Sequence, residues 1–333
     1  MKAIFKPCKL KGNINAPPSK SMAHRYLIGA ALSKNKCVIS GVDYSEDILA
    51  TIDCLKALGA EIYTEKDTVT INPEGFMKTS STVLNCRESG STLRFFMPLA
   101  LCTGKNITLQ GSKRLFERPL DVYEKLCSDN GFEFKKCEDS VTVCGNLKNG
   151  EYEINGKISS QFITGLIFAL VYLGEDSIIR IIPPFESRSY INLTISALKS
   201  FGANIAFTDE FTIHIKQSQM HSFAGRIEGD YSNAAFLEAL NVFGGQVEVG
   251  NLPTESLQGD RAYKQMFEAL EREYSSLNIS DCPDLGPVLF AVAAAKNGGR
   301  FTGTSRLKIK ESNRILSTKK ELEKNFKICE KKC

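Results

Sequence analysis

The feature that most constrains this chain is an internal repeat. Three segments share one plan: a helix-like stretch ends in a leucine and, four or five residues on, a glycine, and two strand-like runs follow around a short acidic turn. Leu55–Ile71 reads LKALGAEIYTEKDTVTI, Leu126–Val143 reads LCSDNGFEFKKCEDSVTV and Leu198–Ile215 reads LKSFGANIAFTDEFTIHI. The glycines Gly59, Gly131 and Gly202 recur at spacings of 72 and 71 residues. A glycine just past a helix end enters the left-handed region at no steric cost. The alternating and β-branched runs after it predict a hairpin. Leu270–Ile279 carries a weaker copy without the glycine.

A period near 70 exceeds that of solenoid repeats, so each copy is read as a small unit of form βαβαββ. Such units cover one sheet face with helices and turn those helices inward. The apolar stretches Phe162–Leu173 and Leu285–Ala295 are therefore predicted to be buried helices. The fold class expected is α/β (α+β), made of repeated βαβαββ units around buried helices. With 333 residues, 42% of them hydrophobic and 24% charged, the chain has core enough for two domains and is not generally disordered. A net charge of +4 suits an anionic small substrate and is no nucleic-acid signature.

Eleven cysteines are scattered without a CxxC pair, and there are only three histidines. A structural zinc site is not expected; reduced thiols in a cytoplasmic protein are. The N-terminal MKAIFKPCKLKGN lacks the apolar centre of a signal peptide. The longest apolar run, Phe162–Leu173, falls short of the roughly 20 residues of a membrane span, so a soluble protein with no membrane partner is predicted.

Five groups of polar residues exceed what folding requires. In Pro17–Arg25 (PPSKSMAHR), Ser19 is placed to cap a helix that begins at Lys20, bringing Lys20, Ser21 and Arg25 to a helix start. Cations there oppose the macrodipole, a conflict an anionic ligand resolves. Arg87–Arg94 (RESGSTLR) offers backbone N–H groups before an apolar helix, although the P-loop spacing is absent. In Glu117-Arg118-Pro119, proline fixes the backbone beside a planar, anion-matching fork. Ser159-Ser160-Gln161 and Ser187-Arg188-Ser189-Tyr190 place hydroxyls at helix starts, where they serve as caps or as anion contacts. Asp284 follows Pro283, and Lys308–Arg314 (KIKESNR) places Lys310 and Arg314 at i and i+4 on one helix face beside Glu311.

In this order, PPSKSMAHR, ESGSTLRF, ERP, SSQF, SRSY, EGDYSNAAF, PDLGP and KIKESNR resemble the EPSP synthase family of enolpyruvyl transferases, over about nine-tenths of the chain. The resemblance implies two domains of three repeats each, with the active site in the cleft between them. Residues 16–227 would form one domain, and 1–15 with 228–333 the other. It implies transfer of the enolpyruvyl group of phosphoenolpyruvate to the 5-hydroxyl of shikimate 3-phosphate, with release of phosphate. No metal, organic cofactor, nucleic acid or membrane takes part, and a monomer is expected. By the same resemblance Lys20, Ser21, Arg25, Ser159, Ser160, Gln161, Ser187, Tyr190, Asp284 and Lys310 contact shikimate 3-phosphate. Lys20, Gly90, Arg118, Gln161 and Arg314 contact phosphoenolpyruvate. Asp284 matches the base for the 5-hydroxyl and Glu311 the acid for the methylene carbon, with Lys310 and Lys20 stabilising charge.

The chain departs from the family pattern in three places. Glu88 stands where other members carry asparagine, either repelling an anion or pairing with Arg87 or Arg94. Arg306 stands where an asparagine contacts shikimate 3-phosphate. No Asp-His-Arg motif follows Arg314, the last histidine being His221, and Leu322–Cys333 reads as the helix end and first strand of a further repeat. The second domain is thus expected to lack its last repeat. An alternative function follows, a remnant that binds shikimate 3-phosphate without turnover.

Overall fold

The computed structural model describes residues 9–78 and 80–325. Contacts divide the chain into two compact units, one of Met1–Pro17 with Glu228–Cys333 and one of Pro18–Ile227. Strand β1 (Lys11–Asn15) precedes the first repeat, which holds α1 (Lys20–Leu32), β2 (Cys37–Ser40), α2 (Glu46–Ala57), β3 (Glu61–Glu65) and β4 (Thr68–Asn72). The second holds β5 (Val83–Arg87), α3 (Gly90–Leu101), β6 (Ile107–Gly111), α4 (Lys113–Glu117), α5 (Asp121–Asp129), β7 (Glu133–Lys136) and β8 (Ser140–Cys144). The third holds β9 (Glu151–Asn155), α6 (Ser160–Leu173), β10 (Ser177–Ile182), α7 (Arg188–Lys199), β11 (Asn204–Phe207) and β12 (Thr212–Lys216). There follow β13 (Ala224–Arg226), α8 (Tyr231–Val242), β14 (Gln246–Gly250), α9 (Tyr263–Arg272), β15 (Ser275–Asn278), α10 (Gly286–Ala295), β16 (Gly299–Thr302) and α11 (Arg314–Asn325).

The three hairpins foreseen in the repeat form as β3–β4, β7–β8 and β11–β12, all antiparallel. Gly59, Gly131 and Gly202 precede them at φ of 98°, 68° and 91°, the left-handed values a helix stop favours. Each hairpin joins a four-stranded sheet of one pattern: β5-β6-β8-β7, β9-β10-β12-β11 and β13-β2-β4-β3. In the first two, a helix crosses between parallel strands of one repeat. In the last, the edge strand β13 comes from after the third repeat and pairs parallel with β2, Ala224 opposite Val38. In the other unit β1 likewise pairs parallel with β14, far along the chain.

Helices α1, α3 and α6 fill the interior of Pro18–Ile227. Their fully buried residues include Leu27, Ile28, Phe95, Phe96, Phe162 and Phe168. Burying each such side chain contributes about 1.5–3 kcal/mol, and Phe168→Ala would cost about 3–5 kcal/mol. Helices α3 and α6 approach closely at Gly165, where a Cβ would collide with the Arg94 carbonyl and the Tyr123 hydroxyl. The other predicted core helix, α10, buries Val288, Leu289, Val292 and Ala293 and leaves Phe290 and Ala291 partly exposed.

The weaker repeat copy at Leu270–Ile279 is corrected. Only Glu273 and Tyr274 link α9 to β15, and β15 pairs parallel with β16 rather than turning back as a hairpin. Helix α10 crosses between the two strands, so they run parallel and no hairpin forms there. The strand expected within Leu322–Cys333 lies, from residue 326 on, outside the described residues. No described helix is long and apolar enough to cross a membrane. The described cysteines are free thiols, and among the described residues no His, Cys, Asp and Glu cluster could hold a metal.

Candidate active site

In the unit Pro18–Ile227 the polar segments converge at the starts of α1, α3, α6 and α7. Pro17-Pro18 keeps the backbone extended, because a residue ahead of proline avoids the helical region. Ser19 then takes the N-cap position with φ −66° and ψ 110°, although its side chain does not make the capping bond. Lys20 opens α1 and pairs with Asp47 at 2.5 Å. One turn on, Arg25 is buried, and its acceptors among the described residues are neutral oxygens. Its Nε donates to Thr194 Oγ1 (2.9 Å), one Nη to the Ser21 carbonyl (2.6 Å) and the other to the Tyr190 carbonyl (3.0 Å). Burial brings its pKa down to about 10. Arg25 thus joins Ser21 and Tyr190, residues 169 positions apart, in one cluster.

Ser89 caps α3 by accepting from Thr92 N–H. Gly90 is required there: the buried Arg118 guanidinium packs where its Cβ would stand. Ser159 caps α6, and Gln161 bridges the two helix starts, donating to Ser91 Oγ at 2.9 Å and accepting from Arg94 at 2.8 Å. At the start of α7, Ser187 holds φ 58°, and its buried hydroxyl has no hydrogen-bond partner among the described residues. Such a group costs about 1–3 kcal/mol unless something satisfies it, which marks it as a place for a ligand oxygen.

Glu88 pairs with neither arginine in the way foreseen. Arg87 is committed to Glu46 (2.6 Å) and Asp53 (2.7 Å) of α2, and Arg94 to Gln161 and the Pro119 carbonyl. Glu88 is exposed and lines a shallow polar depression with Arg87, Gln110, Ser112 and Asp139.

The other unit holds an ionic cluster. Asp284 lies in the single 3-10 turn Pro283–Leu285 that leads into α10. Lys310 Nζ lies 3.1 Å and Arg314 Nη1 2.7 Å from the same Asp284 oxygen. Arg314 Nη2 reaches Glu311 at 3.0 Å. Burial alone would raise the Asp284 pKa, but Lys310 and Arg314 outweigh it and hold the carboxyl well below the usual carboxylate range. Burial opposes the charge on Arg314, and Asp284 and Glu311 more than restore it. Lys310 and Arg314 do not share a helix face, contrary to the i, i+4 expectation. Lys310 is extended after a short 3-10 turn, Ser305–Ile309, and Arg314 only begins α11. Their common contact is Asp284, not a helical stripe. Arg306 is buried and donates to the Ser280 carbonyl.

Sequence reasoning missed Asp47, Thr194 and Asp53 as partners. Nothing in their local pattern distinguishes them from ordinary helix residues. In EGDYSNAAF, Glu228 accepts from Ser256 (2.5 Å) and Gln258 (2.7 Å), and Asp230 caps α8 through Asn233 N–H, so both brace the fold.

The family model of EPSP synthase (3-phosphoshikimate 1-carboxyvinyltransferase) matches residues 4–331. A 3-phosphoshikimate 1-carboxyvinyltransferase of Clostridium perfringens is 40% identical over 97% of this chain and 81% of its own length. One of Clostridium kluyveri is 38% identical over 96% and 79%. The solved EPSP synthase of Acinetobacter baumannii shares the fold with a TM-score of 0.74 at 20% identity, over 95% of this chain and 78% of that one. The enolpyruvyl transferase NikO of Streptomyces tendae shares it at 0.64 with 12% identity, over 88% and 75%. The chain belongs to the EPSP synthase (3-phosphoshikimate 1-carboxyvinyltransferase) family.

Proposed function

We propose that this chain transfers the enolpyruvyl group of phosphoenolpyruvate to the 5-hydroxyl of shikimate 3-phosphate and releases phosphate. The observation that carries this reading is a family match over residues 4–331 with relatives of that name near 40% identity. The residue roles follow the chemistry of the two half-sites. Lys20, Ser21, Arg25, Ser159, Ser160, Gln161, Ser187 and Tyr190 receive shikimate 3-phosphate, the unsatisfied Ser187 hydroxyl gaining an acceptor. Gly90, Arg118, Gln161, Lys20 and Arg314 receive phosphoenolpyruvate. The α3 amides and the Arg118 fork supply donors in the arrangement an anion needs.

The reaction must balance two proton transfers. The 5-hydroxyl oxygen bonds to the substituted vinyl carbon of phosphoenolpyruvate as its proton passes to Asp284, and the methylene carbon gains a proton from Glu311. Loss of phosphate and of a proton from that methyl group restores the double bond. The two carboxyls differ in setting, Asp284 being held by two cations and Glu311 by Arg314 with its side chain 61% exposed, which supports giving them separate roles. A substrate anion that recruits Arg314 releases one of the contacts keeping Asp284 acidic, which raises its basicity when the site is loaded. Lys310 stabilises the charge that develops. Free thiols suit a reducing compartment, so we place the reaction in the cytoplasm.

The test is steady-state phosphate release by the 333-residue chain. Release that needs both substrates is expected. Calorimetric binding of shikimate 3-phosphate without any release would overturn the reading in favour of a binding protein.

A further inference from the structure

Helix α2 carries none of the residues assigned above to either substrate, yet its polar side chains reach two of the helix starts that do, those of α1 and α3. Asp47 holds Lys20 at the start of α1. Glu46 and Asp53 hold the two arms of Arg87, which stands three residues before Gly90 with its backbone at φ 51°. The Arg87 carbonyl accepts from Ser112 N–H at 2.8 Å and fills the space a side chain at position 111 would need.

Between these clamps runs a buried chain of hydrogen bonds. Thr51 of α2 is fully enclosed, with Oγ1 2.8 Å from His24 Nδ1 of α1 and 2.9 Å from Thr92 Oγ1 of α3. The Thr92 hydroxyl donates to Ser89 Oγ at 2.8 Å, and Ser89 Oγ also accepts the Thr92 N–H that caps α3. Counting hydrogens gives the chain a direction. The Thr92 hydrogen goes to Ser89 Oγ or to the more distant Asp47 carbonyl (3.4 Å), in either case away from Thr51, so the Thr51 hydrogen goes to Thr92, and Thr51 accepts from His24. His24 is therefore the Nδ1–H tautomer, with its buried Nε2 unprotonated and, among the described residues, without a partner. Burial, with Lys20 and Arg25 nearby, lowers the His24 pKa well below the usual histidine value, consistent with a neutral ring.

We infer that α2 is the positioning element of the anion site: the chain His24–Thr51–Thr92–Ser89, with Arg87 clamped across Glu46 and Asp53, fixes the α1 start bearing Lys20 against the α3 start bearing Gly90 before any substrate arrives. Thr51 is a positioning residue that acts through its neighbours. The inference deepens the proposed transfer reaction and rests on it through Lys20 and Gly90. A preformed site avoids the ordering cost at binding, so loosening it raises the concentration of substrate required.

Thr51→Val keeps the core volume and removes the shared hydroxyl. In the ligand-free protein, its amide signals for Ser21 and Gly90 should both move, and imidazole ¹⁵N shifts should lose the His24 Nδ1–H signature. The KM for phosphoenolpyruvate should rise about tenfold, the size of one lost buried hydrogen bond, with kcat changed less than about threefold. Thr51→Ser should restore all of these, which a purely volumetric role would not give. Thr51→Val with unmoved amides and an unchanged KM would overturn the inference. Should Thr51→Val fail to fold, Arg87→Leu on the surface decides instead: about threefold in the same KM is expected, and no change overturns the clamp. If the wild type releases no phosphate from the two substrates, the transfer reading falls, while the ligand-free amide shifts still decide whether α2 positions the two helix starts.

Discussion

Two cation sites, around Arg25 in one unit and around Asp284 in the other, are treated in opposite ways, while Lys20 of the first unit is itself paired with Asp47. In Pro18–Ile227, Arg25 is buried against a hydroxyl and two carbonyls, so its charge is solvated by dipoles and left uncancelled. In the other unit, Lys310 and Arg314 are paired with Asp284 and Glu311. Dipoles around a buried cation keep it available to an incoming anion, whereas carboxylates neutralise it and have their own acidity set in exchange. The first arrangement suits recognition of a phosphorylated substrate; the second suits storage and movement of protons. The sheets differ as well: the first unit holds three four-stranded sheets, and the described strands of the second form two-stranded pairs.

The contrast can be broken most directly at Asp284. Asp284→Asn keeps the volume and should lower turnover by about 10²–10⁴-fold, the range for losing a general base. Calorimetric affinity for shikimate 3-phosphate should change by less than about tenfold; equal loss of both would assign Asp284 to binding alone. A smaller effect is expected at Gly90. Gly90→Ala drives a Cβ into the Arg118 guanidinium, and should raise the KM for phosphoenolpyruvate by about 10–100-fold, as for a lost charge-assisted contact. Its KM for shikimate 3-phosphate should stay nearly constant, and a matching rise there would merge the two subsites.

The smallest effect sharpens the contrast through pH. His24 is kept neutral when folded, so below about pH 6.5 the unfolded chain takes up a proton that the folded unit refuses. Stability of Pro18–Ile227 should therefore fall as the pH drops through that value, by up to about 1.4 kcal/mol per pH unit for one proton. The depressed Asp284 carboxyl contributes stability that is fully present above about pH 4 and is lost only as the pH falls below it. Residue-resolved hydrogen exchange should show amides of α1 and α6 losing protection before those of α10. Simultaneous loss would mean that the units do not respond separately.

Much of the fold was legible because its signals are local. Gly59, Gly131 and Gly202 marked helix ends, and the β-branched runs after them marked strands, since left-handed backbone and strand alternation are properties of a few neighbouring residues. Ser159 announced a helix start for the same reason. Lys308–Arg314 misled, because an i, i+4 spacing places two cations on one face only if a helix runs through both, and Lys310 lies outside one. The copy at Leu270–Ile279 misled because a helix end and a strand look alike in sequence whether a hairpin turn or a helix crossover follows, and here α10 follows.

The sequence alone therefore determined the repeated units, the helix starts that carry polar groups, and the family to which those motifs point. Only the tertiary structure decided which strand closes each sheet, that Arg25 rests on neutral oxygens, that Arg87 reaches across to α2, and that Asp284 is held by both Lys310 and Arg314. The reason is physical: torsional preferences act between neighbours along the chain, whereas charge pairing and desolvation depend on distances in space that no spacing in sequence contains.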